Sequence, residues 1–500
     1  MKLFDNKAFE DLSPELITID SKLSSDAPSD IDETITEYKN DMTMASEGFL
    51  RASRELFLIS DIKASLQNKK LSSVEYFTSI ENYNLYLKSI ANNLGVNTKL
   101  PSMEDFKNPY GIETSHKIVL EGFNDFIRSV WIKIKEFFKA FFKKVMLFLK
   151  RLVNANLDLE EYEDYIADLI NQAKRSKKDK VEPTIIQSKL PLLLADPDLD
   201  SVNVDYILIK GTNKLTKLLD LNKNIFERHL TKFSNELKSN NIKLTELLDN
   251  LKDKSIDKIN EEMIDIRADY IRNLNTNIFT NAINTGLSNL PDSIHGEIMS
   301  ELDSVSNNTE ISSLVGIRNS DEFLPKNFNI FLVSSSITNN EIQSKKIFII
   351  GNTETNSYIK REIDTISSLN NLIKFYDYYR KYSKEFNIKN TLNKIEDLES
   401  NIEQMLKEFD KKFTNVAVES DSAGGLASDE EMFPSSGTGS SVTPNSKDKK
   451  ALVKELERFI FNYLNNVQVL TKEISINLAG TYSECRYEMI RYLYLSAKQF

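Results

Sequence analysis

At 500 residues and 57.4 kDa the chain is too long for one small module, and its length favours two to four structural units. Only 14 glycines and 11 prolines, beside 40% hydrophobic and 28% charged residues, exclude a collagenous, Gly-rich sandwich or wholly disordered chain and favour long helices. The formal charge of −11 is uneven: residues 1–47 hold twelve acids and four lysines, leaving −3 for everything after them.

That acidic segment, residues 1–47, reads as a solvated, partly ordered N-terminus or interaction tail. Its first 31 residues are polar, contain Pro14 and Pro28, and are an unpromising place for a core. Met1-Lys2-Leu3-Phe4 leads into acids with no apolar run behind it, so no secretory signal is expected. No run of about 18 uninterrupted apolar residues occurs, so no membrane-spanning helix is expected.

Residues 48–180 read as helical. A helix is predicted from Ile31 to about Gln67. Another spans Ser73 to Leu94, with Tyr76, Ile80, Tyr83, Leu87 and Ile90 at three- and four-residue steps. After a connection over 97–111 containing Pro101 and Pro109, long helical runs are predicted at about 113–154 and 158–176.

Residues 181–416 read as an α+β middle region followed by helices. Pro183, Pro191 and Pro197 interrupt the helical pattern, and Val204–Ile209 looks like a strand. Helices are predicted at about 212–252 and 255–287. Phe328–Val333 and Ile347–Ile350 are β-branched and aromatic runs with Asn339 and Asn340 between them, suited to pair as a hairpin-like unit. Helices are predicted again at 355–385 and 388–415. Residues 417–449, rich in serine and glycine with Pro434 and Pro444, read as a disordered linker. Residues 450–500 form a last helical block. The expected fold class is therefore mainly α with a small α+β middle region, long amphipathic helices and no transmembrane span.

The strongest local signal lies between Phe123 and Val153. An apolar seam runs through Ile127, Trp131, Ile134, Phe138, Phe141, Val145, Phe148 and Leu152, in alternating steps of four and three. This is heptad spacing, the pattern of a coiled coil. The opposite side carries Arg128, Lys133, Lys135, Lys139, Lys143, Lys144, Lys150 and Arg151, against only Asp125 and Glu136 in the same segment. Three readings compete: an apolar stripe buried against other helices, a cationic amphipathic helix lying on an anionic membrane, and a basic face meeting DNA phosphates. The first and third are compatible with each other.

Signals for chemistry are absent. There is no phosphate-binding glycine loop, no H-E-x-x-H, no C-x-x-C and no G-x-S-x-G. With Cys485 as the only cysteine and three separated histidines (His116, His229, His295), no disulfide framework, metal centre or cofactor is expected. Cys485 reads as a small buried hydrophobe, and acid pairs such as Asp164 and Asp168 as helix-surface charges. The composition predicts an intracellular protein without an enzymatic role.

The stretch from about Ser73 to Leu152 resembles the internal head proteins of phiKZ-like giant bacteriophages. The likeness is in the order of features. A helix beginning Ser73-Val74-Glu75-Tyr76-Phe77 comes first, and a connection ending Ser102-Met103-Glu104-Asp105-Phe106 follows. Val119-Leu120-Glu121-Gly122 then opens a helix built on Phe126, Ile127, Val130, Trp131, Ile134, Phe137 and Phe138 with lysines between. Phe323-Leu324-Pro325-Lys326-Asn327 and the strands after it are similar to the family's small β element.

This resemblance implies a non-enzymatic virion protein, made in the host cytoplasm and packed in the capsid interior. Its implied partners are the phage head proteins, a head maturation protease and the packaged DNA. Members are trimmed after Glu in a small-residue-x-Glu context, which Ala45, Ser46 and Glu47 followed by Gly48 satisfy. Ser73-Val74-Glu75, Ala417-Val418-Glu419 and Ser428-Asp429-Glu430 satisfy it as well. A membrane-active or host-delivered effector, acting through the cationic helix in peripheral membrane contact, is the alternative.

Overall fold

The computed structural model describes residues 19, 21–25, 29–68, 73–96, 112–176, 178–190 and 258, strands between 314 and 352, residues 360–384 and 387–422, and parts of 461–500. Helix dominates them. The predicted strand at 204–209, the predicted helix at 212–252, the one at 255–287 apart from Lys258, and residues 423–449 of the linker lie outside the described residues.

Helix α1 (Asp30–Asn68) and helix α2 (Ser73–Leu94) fall within a residue of their predicted bounds. The start of α1 is fixed locally. The Asp32 amide donates to Ser29 Oγ and the Ser29 amide donates to Asp32 Oδ2, both at 3.1 Å, a capping box with Asp in the third position. The two runs predicted at 113–154 and 158–176 are one helix, α3 (Ile112–Arg175). Within the predicted break the Asn156 side-chain amide donates to Leu152 O and to Ser483 Oγ, both at 2.8 Å. These bonds compensate a weak helix former inside the helix.

Strands β1 (Ile185–Ser188), β2 (Leu314–Ile317), β3 (Phe328–Val333), β4 (Ser335–Thr338), β5 (Glu341–Ser344), β6 (Phe348–Asn352) and β7 (Arg361–Asp364) form small antiparallel sheets. Strand β3 lies between β2 and β6, with Ile330 opposite Ile350, and β4 pairs with β5. Strand β1 pairs with β7, Ile186 opposite Ile363. That pairing corrects the helix predicted from 355, which begins only at Leu369 as α4 (Leu369–Tyr382). Helix α5 (Ile388–Ser422) continues into the predicted linker, so the linker cannot begin at 417. A π-helical segment (Ile474–Gly480) leads into α6 (Thr481–Ala497).

The chain divides into two compact units. One comprises Tyr38–Val145 and Tyr463–Gln468. Within it α1 and α3 run antiparallel: Asp41 pairs with Lys144, the Phe49 and Phe138 rings meet tilted with centroids 5.9 Å apart, and Lys63 donates to Asn124. Gly48 faces Phe137 so closely that a Cβ there would lie 2.7 Å from the ring. The core is aromatic, with Phe49, Phe123, Phe138, Phe141 and Phe142 almost wholly buried.

The other unit comprises Met1–Glu37, Met146–Asn462 and Val469–Phe500. Here α6 packs on α4, with Tyr382 stacked on Tyr482 at 5.2 Å and Phe375 edge-on to Tyr492 at 5.5 Å. Ile19, Leu23 and Ile31 are buried, correcting the expectation that the first 31 residues contribute no core.

Candidate functional surface on the long helix

Helical periodicity sorts the side chains of α3 by depth. Of the predicted seam, Ile134, Phe138, Phe141, Val145, Phe148 and Leu152 are buried, whereas Ile127 and Trp131 are half-buried. Of the predicted basic set, Arg128, Lys139, Lys143, Lys150 and Arg151 are exposed, and Lys133, Lys135 and Lys144 are half-buried. The membrane reading needs the phenylalanine stripe at a lipid interface. Those rings are already in the protein interior, so this fold does not carry that reading. No helix among the described residues is long and apolar enough to cross a membrane.

Acids of the first 47 residues meet part of the basic set. Asp41 takes Lys144 in one unit, and Glu37 takes Arg151 at 2.8 Å in the other. Lys150 lies 3.9 Å from Glu396, and Lys133 pairs with Glu136 at 2.9 Å. Lys135 sits over the Trp131 ring at 5.7 Å. These are exposed or part-exposed pairs, each of small energetic value. Arg128, Lys139, Lys143, Lys150 and Arg151 keep their side chains exposed to solvent.

The candidate cleavage site is placed differently from a loop. Ala45, Ser46, Glu47 and Gly48 lie in mid-helix in α1, and Ser46 Oγ donates to Gln468 at 3.5 Å. A protease binds its substrate extended, so cutting there requires α1 to open locally. Loss of residues 1–47 would also remove Leu23, Ile31, Tyr38 and Met42 from the core. The acidic segment is therefore not a detachable tail in the folded chain. Glu75 lies in α2 and Glu419 in α5, and Glu430 is outside the described residues.

Two buried polar clusters escape sequence reasoning. In the first, Lys189 Nζ reaches Asp32 Oδ1 at 2.6 Å and Glu484 Oε1 at 3.0 Å, with lysine and aspartate side chains only 4% and 5% exposed. Glu488 accepts from Ser188 Oγ at 2.6 Å and from the Lys189 amide at 3.1 Å. Burial pushes the Glu484 carboxyl up to about 7, against the pull of Lys189. Burial also disfavours the charged Lys189, but Glu484 and Asp32 outweigh it and hold the ammonium above the ordinary lysine range.

In the second cluster, Arg486 donates to Glu163 at 2.6 Å, to Tyr379 Oη at 3.1 Å and to Asn156 Oδ1 at 3.1 Å, while Tyr379 donates to Glu163. Burial raises the Tyr379 phenol well above its usual range. Cys485 beside it is buried, its thiol pushed up by burial, which keeps it inert. Partners up to 330 residues apart leave no local pattern. The one available signal is in α6, where Glu484, Glu488 and Arg491 share one face and Arg486 lies on the other, on a helix that carries Tyr, Leu and Ile all round. A helix buried all round forces such charges inside.

Neither cluster lines a catalytic cleft. The described residues contain a shallow cleft of about 280 Å³ beside Ser21, Ser29, Asp158, Tyr162 and Tyr487, small for an organic ligand. No His, Cys, Asp and Glu group able to hold a metal occurs among the described residues.

Residues 84–270 match the family model of phiKZ-like phage internal head proteins, rather more than a third of the chain. The matched region includes the second half of α2 and all of α3. No curated protein and no solved structure matches the chain.

Proposed function

We propose, on the premise of that family match, that this protein is a structural component packed inside a phage head with the genome, in the company of other head proteins. The match over α3 carries the reading. The architecture agrees with it: a long helix, cores held by aromatic packing, and buried ion pairs that serve the fold. Mass spectrometry of purified virions tests the placement. The protein is expected among the particle's contents, and its absence from particles while abundant in infected lysate would reject the proposal.

Contact with DNA is proposed for the exposed bases Arg128, Lys139 and Lys143. With about three phosphates neutralised, the logarithm of affinity for duplex DNA is expected to fall with log salt at a slope near −3, about −0.9 per contact. A salt-independent affinity would remove phosphate contact from the proposal. Trimming by the head maturation protease, when it uses Glu47, is proposed to act on the newly made chain before α1 closes on α3. The N-terminus found in virions reports this directly.

A further inference from the structure

Where α3 ends, the chain turns through Lys174-Arg175-Ser176-Lys177-Lys178-Asp179-Lys180, five bases and one acid in seven residues. Lys174 and Arg175 close the last turn of the helix, where cations offset the negative pole of the backbone dipole. Lys178 and Lys180 lie beyond the helix, so that role does not account for them. Lys174, Arg175, Lys178 and Lys180 are all exposed, and none of the four makes an ion pair among the described residues.

The backbone that presents them is held in place. Ser176 Oγ donates to Ala173 O at 2.7 Å, and the Lys178 amide donates to Ser176 Oγ at 3.4 Å. The Leu369 amide donates to Asp179 O at 3.1 Å and the Val181 amide to Ser367 O at 2.9 Å, while Lys180 is bridged to Ser368. These bonds tie the turn to the start of α4, whose first turn carries no acid. Every residue involved belongs to the same compact unit.

We infer that this basic turn is a second phosphate-binding surface, which meets the backbone of duplex DNA through Lys174, Arg175, Lys178 and Lys180. Cations on a backbone already fixed lose less freedom when a polyanion arrives. Residues 174–180 contain no aromatic side chain on which an unpaired base could stack and no apolar one to enter a lipid surface, which favours the duplex. Phosphate contacts of this kind position the protein without reading sequence. The surface is distinct from Arg128, Lys139 and Lys143, and its assignment to DNA rests on the reading that the protein lies beside the genome.

The full chain is titrated with a mixed-sequence duplex by fluorescence anisotropy between 50 and 200 mM salt. With Arg128, Lys139 and Lys143 all changed to glutamine, binding is expected to persist. The logarithm of its affinity falls with log salt at a slope of about −3.6, or about a hundredfold over that range. Adding Lys178→Gln and Lys180→Gln, which leaves the end of α3 intact, brings the slope to about −1.8. Adding Lys174→Gln and Arg175→Gln as well abolishes binding, with an unfolding midpoint close to that of the unaltered chain. Binding lost already in the three-base variant, or surviving loss of all seven bases, would overturn the inference. The first outcome leaves the reading of Arg128, Lys139 and Lys143 standing. If instead glutamine at the four turn positions alone removes all binding, the turn is the DNA surface and that other reading falls. Retention on vesicles of phosphatidylserine in phosphatidylcholine, without binding to the duplex, overturns the choice of partner.

Discussion

Replacing Lys189 with Met is expected to cost about 3–5 kcal/mol of stability at pH 7, because it strands two carboxylates in a water-poor interior. Asp32 and Glu484 both depend on that ammonium, at 2.6 and 3.0 Å. Asp32 also holds the first turn of α1 through the Ser29 amide. The cost is expected to shrink at pH 5. Glu484 ordinarily titrates near 4.3 in an unfolded chain and near 7 here. Between those values the folded chain holds a proton that the unfolded chain has released. Glu484 therefore makes stability fall as pH rises from about 4.5 to 7, and contributes no further change above that. Urea unfolding at pH 5, 6, 7 and 8 measures both effects. Glu484→Gln is expected to flatten the decline while leaving the Lys189–Asp32 pair intact. An unchanged slope in that variant would show that another group titrates.

Phe141→Ala is expected to cost about 3–5 kcal/mol, the range for deleting a fully buried aromatic ring and leaving its cavity. Phe141 is 0% exposed and meets Phe142 edge-on at 5.4 Å. Trp131→Ala should cost only about 1 kcal/mol. Trp131 is half-buried, and its ring–Lys135 contact is of the partly exposed kind. Heptad spacing alone treats the two positions as equivalents, so the pair of substitutions measures where the buried stripe is centred. Equal losses, read as shifts in unfolding midpoint at constant slope, would move that centre toward Trp131.

The reach of the forces that hold each element decides how much of it a local pattern reveals. Local periodicity placed α1 and α2, because their burial pattern and caps lie within the segment itself. It failed at Asn156, where two hydrogen bonds, one to Ser483 far along the chain, keep α3 continuous. It failed at Arg361–Asp364, whose charges suit a helix surface but whose partner strand is Ile185–Ser188. Pro14 and Pro28 made the first residues look coreless, although Leu23 is wholly buried. The basic side of α3 over Arg128–Arg151 was legible as lysines and arginines opposite an apolar seam. The clusters at Lys189 and Arg486 were not, since each assembles only after distant segments have packed.

The Lys189 cluster sets an order in time as well as in space. Asp32 and Lys189 leave the ribosome long before Glu484, so for most of synthesis the ammonium lacks one of the two carboxylates that hold it. A contact spanning so much sequence closes late and slowly, since loop closure must precede its reward. Until α6 arrives, the nascent chain has a reason to remain loosely closed around that site. Such a delay keeps the early segments open for longer during synthesis.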